Sequence, residues 1–167
     1  MIRIFVISFY IVACIFFGDW HKWKDYYPTI LYVIIVDFIH DVIFQQYMLW
    51  RYMGWINSTF ADFTYLFIVY PCAINLFLTH FPKGKIKPVL YILAWTTINI
   101  LFEYISYKTG YFAYDHSWSI FWSAGLLFMG FTLAKIHYHH NIIVWPVSFL
   151  FIGLTVWIFK MPFALIK

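Results

Sequence analysis

Charge is the first thing this sequence is short of. Of 167 residues only 11% are Asp, Glu, Lys or Arg, and 64% are hydrophobic. Soluble domains carry about 25% charged and roughly 45–50% apolar residues. Water cannot solvate so much apolar surface on a chain of this size, so a water-soluble globular domain is excluded and lipid is the expected solvent. Glycine and cysteine are scarce as well, at seven and two. The sequence has no Gly-rich phosphate loop, no Gly-x-Ser-x-Gly elbow and no zinc-type cysteine spacing. No cofactor and no metal are therefore expected. Cys14 and Cys72 fall within apolar runs and read as small apolar fillers without a disulfide framework. The net charge of +4 does not point to nucleic acid, because the bases are scattered through short connections, where topology and anionic headgroups account for them.

What is abundant is long apolar runs. At roughly 20 apolar residues per crossing, the length allows about six spans and leaves no room for a soluble domain. The expected fold is all-α, a polytopic transmembrane bundle of about six helices forming a single domain over 1–167. The spans are predicted at about 2–18, 29–49, 59–81, 88–107, 118–136 and 142–160. The exit of the first run, Phe16-Phe17-Gly18-Asp19-Trp20, lacks a small-x-small cleavage site, so the run is read as a retained span. Pro28 is expected to open span two as a first-turn proline, Ser58 or Thr59 to cap span three, and Pro71 to kink it. Pro82-Lys83-Gly84-Lys85-Ile86-Lys87-Pro88 is the clearest break.

For orientation, one side holds Arg3, Arg51, Lys108, Lys160 and Lys167; the other holds Lys22, Lys24, Lys83, Lys85, Lys87 and Lys135. The concentration of lysines in the turn at 83–87, with His137, His139 and His140 beside another turn, favours the second side as cytoplasmic and both termini outside. Aromatics reach 26%, in keeping with interfacial belts of Trp and Tyr.

A family resemblance runs through these segments. Gly18-Asp19-Trp20-x-x-Trp23-Lys24-x-Tyr26-Tyr27-Pro28-Thr29, then Pro71, Phe81-Pro82-Lys83-Gly84, Glu103, Tyr114, Trp118, Ser123 and His137 resemble an uncharacterised family of small multi-span membrane proteins from spore-forming Firmicutes. The resemblance covers nearly the whole chain. It implies a six-helix fold and a bacterial, Gram-positive plasma membrane, with no activity to carry over. His139 and His140 stand where the family tends to show Arg or Lys, which weakens any strongly basic role for that turn.

Intramembrane charges cost about 2.5–3.5 kcal/mol each on insertion scales, so their positions carry information. Asp37, His40, Asp41 and Gln45 form one stripe on span two, and a polar stripe must face the bundle interior. Thr96, Asn99 and Glu103 repeat the arrangement on span four, and Ser119 and Ser123 lie four apart on span five. Asp37, Asp41, Asp62, Glu103 and Asp115 all fall in the outer half or at its rim, which predicts an acidic, aromatic-lined cavity open to the outside. Each group also has a structural reading: His40 bridging two carboxylates as a polar knot, Asp62 and Asp115 as interfacial acids, Ser119-x-x-x-Ser123 as a packing face, and the His137–His140 cluster as a headgroup-facing turn.

Three functions follow. The first is cation- or proton-linked binding or translocation. Clustered carboxylates at Asp37, Asp41 and Glu103 exchange protons, and Trp95, Tyr104, Trp118 and Trp122 form cation–π walls. Without an internal repeat, translocation would call for a homo-oligomer. The second is an acid-catalysed isoprenoid- or lipid-modifying enzyme, with Asp37 or Glu103 as proton donor. The third is a non-catalytic membrane subunit or sensor. The partners expected are the bilayer itself and a small organic cation, a proton or an isoprenoid or other lipid.

Overall fold

Helices follow the apolar runs, and each boundary has a local cause. The computed structural model describes residues 2–53 and 63–162. Helix α1 (Ile2–Phe17) ends as the Gly18 N–H reaches the Cys14 carbonyl at 3.0 Å. Asp19 then takes an extended backbone and accepts hydrogen bonds from the N–H groups of His21 and Lys22, capping a 3₁₀ turn at Trp20–Lys22. Helix α2 (Trp23–Phe44) continues from it. The helix thus starts at Trp23 rather than 29, and Pro28 lies inside it instead of opening it. The bond that Pro28 forgoes is to the carbonyl of Lys24, an exposed residue near the helix start.

α2 also stops at Phe44 rather than 49, because the chain turns there into a short strand, β1 (Trp50–Tyr52). Helix α3 (Tyr65–Thr79) opens with a π-helical segment at Tyr65–Val69. Pro71 is the cause: it has no N–H for the Phe67 carbonyl, and its ring presses on that carbonyl. Widening the turn, seen in the Tyr70 N–H bond to the Tyr65 carbonyl, lets the chain pass. The kink expected at Pro71 takes this form. Asp62, Ser58 and Thr59 lie outside the described residues.

Helix α4 (Lys87–Lys108) ends in a Schellman motif. Gly110, at φ +75°, donates to the Tyr107 carbonyl at 3.1 Å, and Tyr111 N–H donates to that of Ser106 at 2.9 Å. The reversal delivers strand β2 (Phe112–Tyr114), which pairs antiparallel with β1 in the register Trp50↔Tyr114 and Tyr52↔Phe112. Two connections expected as separate loops are therefore one ribbon. Helices α5 (Ile120–His139) and α6 (Val144–Ile158) follow.

Among the described residues the fold is helical apart from this ribbon. Three helical segments, Trp20–Phe44, Lys87–Lys108 and Ile120–His139, are long and apolar enough to cross a membrane. The other three helices, of 16, 15 and 15 residues, extend about 22–24 Å at 1.5 Å per residue. α1 packs on α3 and α4, α2 packs on α3 and α5, and α4 packs on α5. Five helices thereby close into a ring in the order α1–α3–α2–α5–α4, with α6 against α5.

One end of the ring is filled by Tyr26, Ile30, Ile74, Phe77, Phe131 and Ala134. These residues come from the start of α2 and the ends of α3 and α5, so the β ribbon, which follows the end of α2 and the end of α4, covers the opposite end. The outside is apolar: Phe16, Phe121, Leu150 and Trp157 are 64–84% exposed.

Candidate binding cavity

A cavity of about 270 Å³ lies within the ring. α1 lines it with Val6 and Tyr10, α2 with Tyr32, Asp37 and His40, and α3 with Tyr65, Tyr70 and Ala73. α4 supplies Asn99, Phe102, Glu103 and Ser106, while α5 supplies Ser123 and residues between Leu126 and Leu133. α6 closes a side with Ser148, Phe151 and Ile152. The ribbon contributes Trp50, Tyr52 and Phe112. Trp50 and Tyr52 are two apart, so they share the inner face of β1, while Arg51 points away and pairs with Asp115 at 3.2 Å.

Glu103 is held from the ribbon. The Tyr114 hydroxyl donates to Glu103 Oε1 at 2.6 Å, and Ser123 lies beside the same carboxylate. Burial, and then the neighbouring carboxylate, push the Tyr114 hydroxyl well above its ordinary range, so it remains a protonated donor. Ser123 is fixed in turn by Trp118, whose indole N–H donates to Ser123 Oγ at 2.9 Å. Trp118 is aimed inward by the backbone before it: His116 and Ser117 both have positive φ, at 50° and 65°, a conformation that costs non-glycine residues energy and persists where packing enforces it.

Asp37 approaches the same cavity from α2, with the Tyr70 hydroxyl against its carboxylate. Nearby, Tyr10 donates to Asn99 Oδ1 at 2.8 Å while Asn99 Nδ2 donates to the Trp95 carbonyl, which fixes the amide. His40 is only 7% exposed and lies between the rings of Phe44 and Trp50, with centroids at 4.5 and 4.9 Å. Neither of its ring nitrogens has a hydrogen-bond partner. The Asp41 carboxylate stands 3.6 Å from Nδ1, too far for a hydrogen bond. A buried polar ring left unpaired at a cavity wall is uncommon in proteins and needs an explanation.

Of the residues singled out from the sequence, Asp37, His40, Asn99, Glu103 and Ser123 meet on this cavity. The rest stand elsewhere. Asp41 is partly exposed beside His40, and Gln45 is exposed, so the stripe on α2 turns inward only through Asp37 and His40. Trp95 packs one layer away, among Tyr10, Tyr91, Phe77 and Phe131. Tyr104 is exposed with Lys108 over its ring. Trp122 is 44% exposed, and Ser119 precedes α5, its carbonyl taking the Trp122 and Ser123 N–H groups. Trp118 is buried and acts on the cavity through Ser123. Asp62 lies outside the described residues.

The tyrosines around the cavity were not legible in the sequence. Tyr114, Tyr70 and Tyr10 each engage a polar group of the cavity, and Tyr32 is bonded to Ser148 at 2.6 Å. Their positions are set by partners on other helices, for which one strand of sequence holds no signal. His137 also departs from the headgroup-facing turn expected for it: it is 5% exposed, 3.0 Å from Thr29 Oγ1, and stacked on Tyr32. No family model, curated protein or solved structure matches the chain.

Proposed function

We propose that the chain is a six-span protein of a bacterial plasma membrane, of the family it resembles, that binds a small organic cation in exchange for protons. One observation carries the reading. Asp37 and Glu103, from α2 and α4, line a single apolar cavity whose described lining contains no Lys or Arg. Two ionised carboxylates in such a medium are not stable without compensation. Hydroxyl donors such as Tyr114 lessen the cost but do not cancel charge. His40 on the cavity wall, when protonated, and Arg3 behind Tyr52 supply part of the compensating positive charge; the rest comes from protons on the pair or from a bound cation, and each displaces the other. Phe102 and Phe112, which also line the cavity, supply aromatic surface for such a cation. The short α1, α3 and α6 cross by local bilayer thinning and by use of their flanking residues.

Thermal unfolding of detergent-purified protein against a panel of small organic amines tests this. A bound amine at about 100 times its Kd stabilises by about 2.7 kcal/mol, a readable rise in unfolding temperature. Asp37→Asn and Glu103→Gln, which keep shape and hydrogen-bond acceptors, should abolish the rise. Asp41→Asn, outside the cavity, should retain it. A folded wild-type protein that shifts with no amine overturns the proposal.

A further inference from the structure

The chain contains two cysteines, and the fold brings them together. Cys14, on the last turn of α1, is 1% exposed. Cys72 follows the π segment of α3 and is half-buried. Their thiols are hydrogen-bonding neighbours, both reduced, inside the α1–α3 contact made by Val6, Tyr10, Val69, Ala73 and Leu76. The setting is polar as well as close. Asn75, one turn beyond Cys72, is fully buried, and its Nδ2 has no partner. Its Oδ1 meets Gly18 at the same place as Cys14 Sγ: a Cβ on Gly18 would stand 2.7 Å from the first and 3.3 Å from the second. The Asn75 side chain thus adjoins Cys14, a buried polar group next to the thiol pair. Neither cysteine lines the cavity.

We propose that Cys14 and Cys72 are a redox-active dithiol that closes to a disulfide between α1 and α3, with a lipid-soluble quinone as electron acceptor. In the step, two S–H bonds break and one S–S bond forms. The two protons and two electrons pass to the quinone, which leaves as quinol. The acceptor class follows from the approach route. Cys72 lies one turn from Ile68, on the same face of α3, and Ile68 and the adjoining Phe67 are 38% and 60% exposed. That surface is apolar, open to a lipid-phase oxidant and closed to charged ones.

The test treats wild-type protein in lipid nanodiscs with a fully substituted benzoquinone, which cannot add thiols. Alkylation after denaturation then counts what remains. Both thiols should be lost, with intact mass lower by two hydrogens, a Cys14–Cys72 linked peptide, and one quinol formed per chain. Dithiothreitol should restore both thiols. Cys14→Ser and Cys72→Ser should each keep one alkylatable thiol and form no quinol. Two thiols still alkylatable after treatment, or disulfides only between chains, overturn the proposal. Closure by a water-soluble disulfide but not by the quinone overturns the acceptor.

Discussion

At the scale of single residues, the contact between α1 and α3 depends on an atom that is not there. Gly18 has no special backbone requirement, but a Cβ at that position would lie 2.5 Å from the Cys14 carbonyl oxygen and 2.7 Å from Asn75 Oδ1. One neighbour is backbone, and the other is a buried side chain already bonded by Thr79 at 3.4 Å. Neither yields cheaply. Gly18→Ala should destabilise by about 1–3 kcal/mol, the usual cost of overpacking, read as a lower midpoint of denaturant unfolding in detergent. Gly125→Ala is the control: nothing lies within 4 Å of its Cβ position, and in a helix the change should be neutral or stabilising by up to about 1 kcal/mol. Equal losses at the two positions would show that the close approach at Gly18 is not what selects glycine. The same residue-level logic explains why Glu103 is tolerated. Its partners Tyr114 and Ser123 belong to other elements, so the carboxylate is fully satisfied only when α4, α5 and the ribbon are docked.

Among elements, the ribbon β1–β2 is the one with the least support of its own. Two strands of three residues are too short to stand alone in water, so their order is borrowed from helices. Arg3, at the start of α1, supplies much of it: its Nη2 donates to the Met53 carbonyl at 3.0 Å and lies 3.4 Å from that of Tyr111, and its guanidinium sits 4.6 Å over the Tyr52 ring. The Arg51–Asp115 pair is half-exposed, and such pairs contribute about 0–1 kcal/mol. Arg3→Ala should therefore speed amide hydrogen exchange at Met53 and Tyr111 more than Asp115→Ala does. The reverse order would mean that the ribbon is held by its surface ion pair.

This ribbon was not legible in the sequence, and the reason is physical. Hydrophobic periodicity needs several turns or residues to register, and three-residue strands at 50–52 and 112–114 are paired by contacts across 60 residues of chain. The helices were legible for the opposite reason, since each extends over at least four turns of apolar residues, and errors fell at ends set by a cap, as at Asp19, or by the ribbon, as at Phe44. The inward placement of Asp37, His40, Asn99 and Glu103 was legible too, because polar groups in an apolar helix are costly against lipid, although Asp41 and Gln45 of the same stripe lie outside the cavity. Which aromatic rings would join them was not. With rings making up 26% of the chain, an aromatic residue near a carboxylate in sequence carries no information about the wall it lines.

The described helices form a ring with an apolar outer surface, and the ring fixes which connections share an end. The core cluster of Tyr26, Phe77, Ile92 and Ala134 gathers the start of α2, the end of α3, the start of α4 and the end of α5. The connections at 18–22, 80–86 and 140–143 therefore share one end. The ribbon residues 50–53 and 111–115 share the other with Arg3 and Lys160. If all six helices cross the bilayer, these two sets lie on opposite faces of it.

Single cysteines placed on a background with Cys14 and Cys72 replaced by serine, at Lys83 and His140 on one side and Gly110 and Lys160 on the other, should divide into two groups. An impermeant maleimide applied to intact cells should label one group alone, and the other only after permeabilisation. Labelling of both groups from the same side would mean that a short helix, α1, α3 or α6, enters and leaves by the same face. The proposed six-span crossing would then fall, while the cavity, lined by the ribbon and enclosed by the helices, would remain.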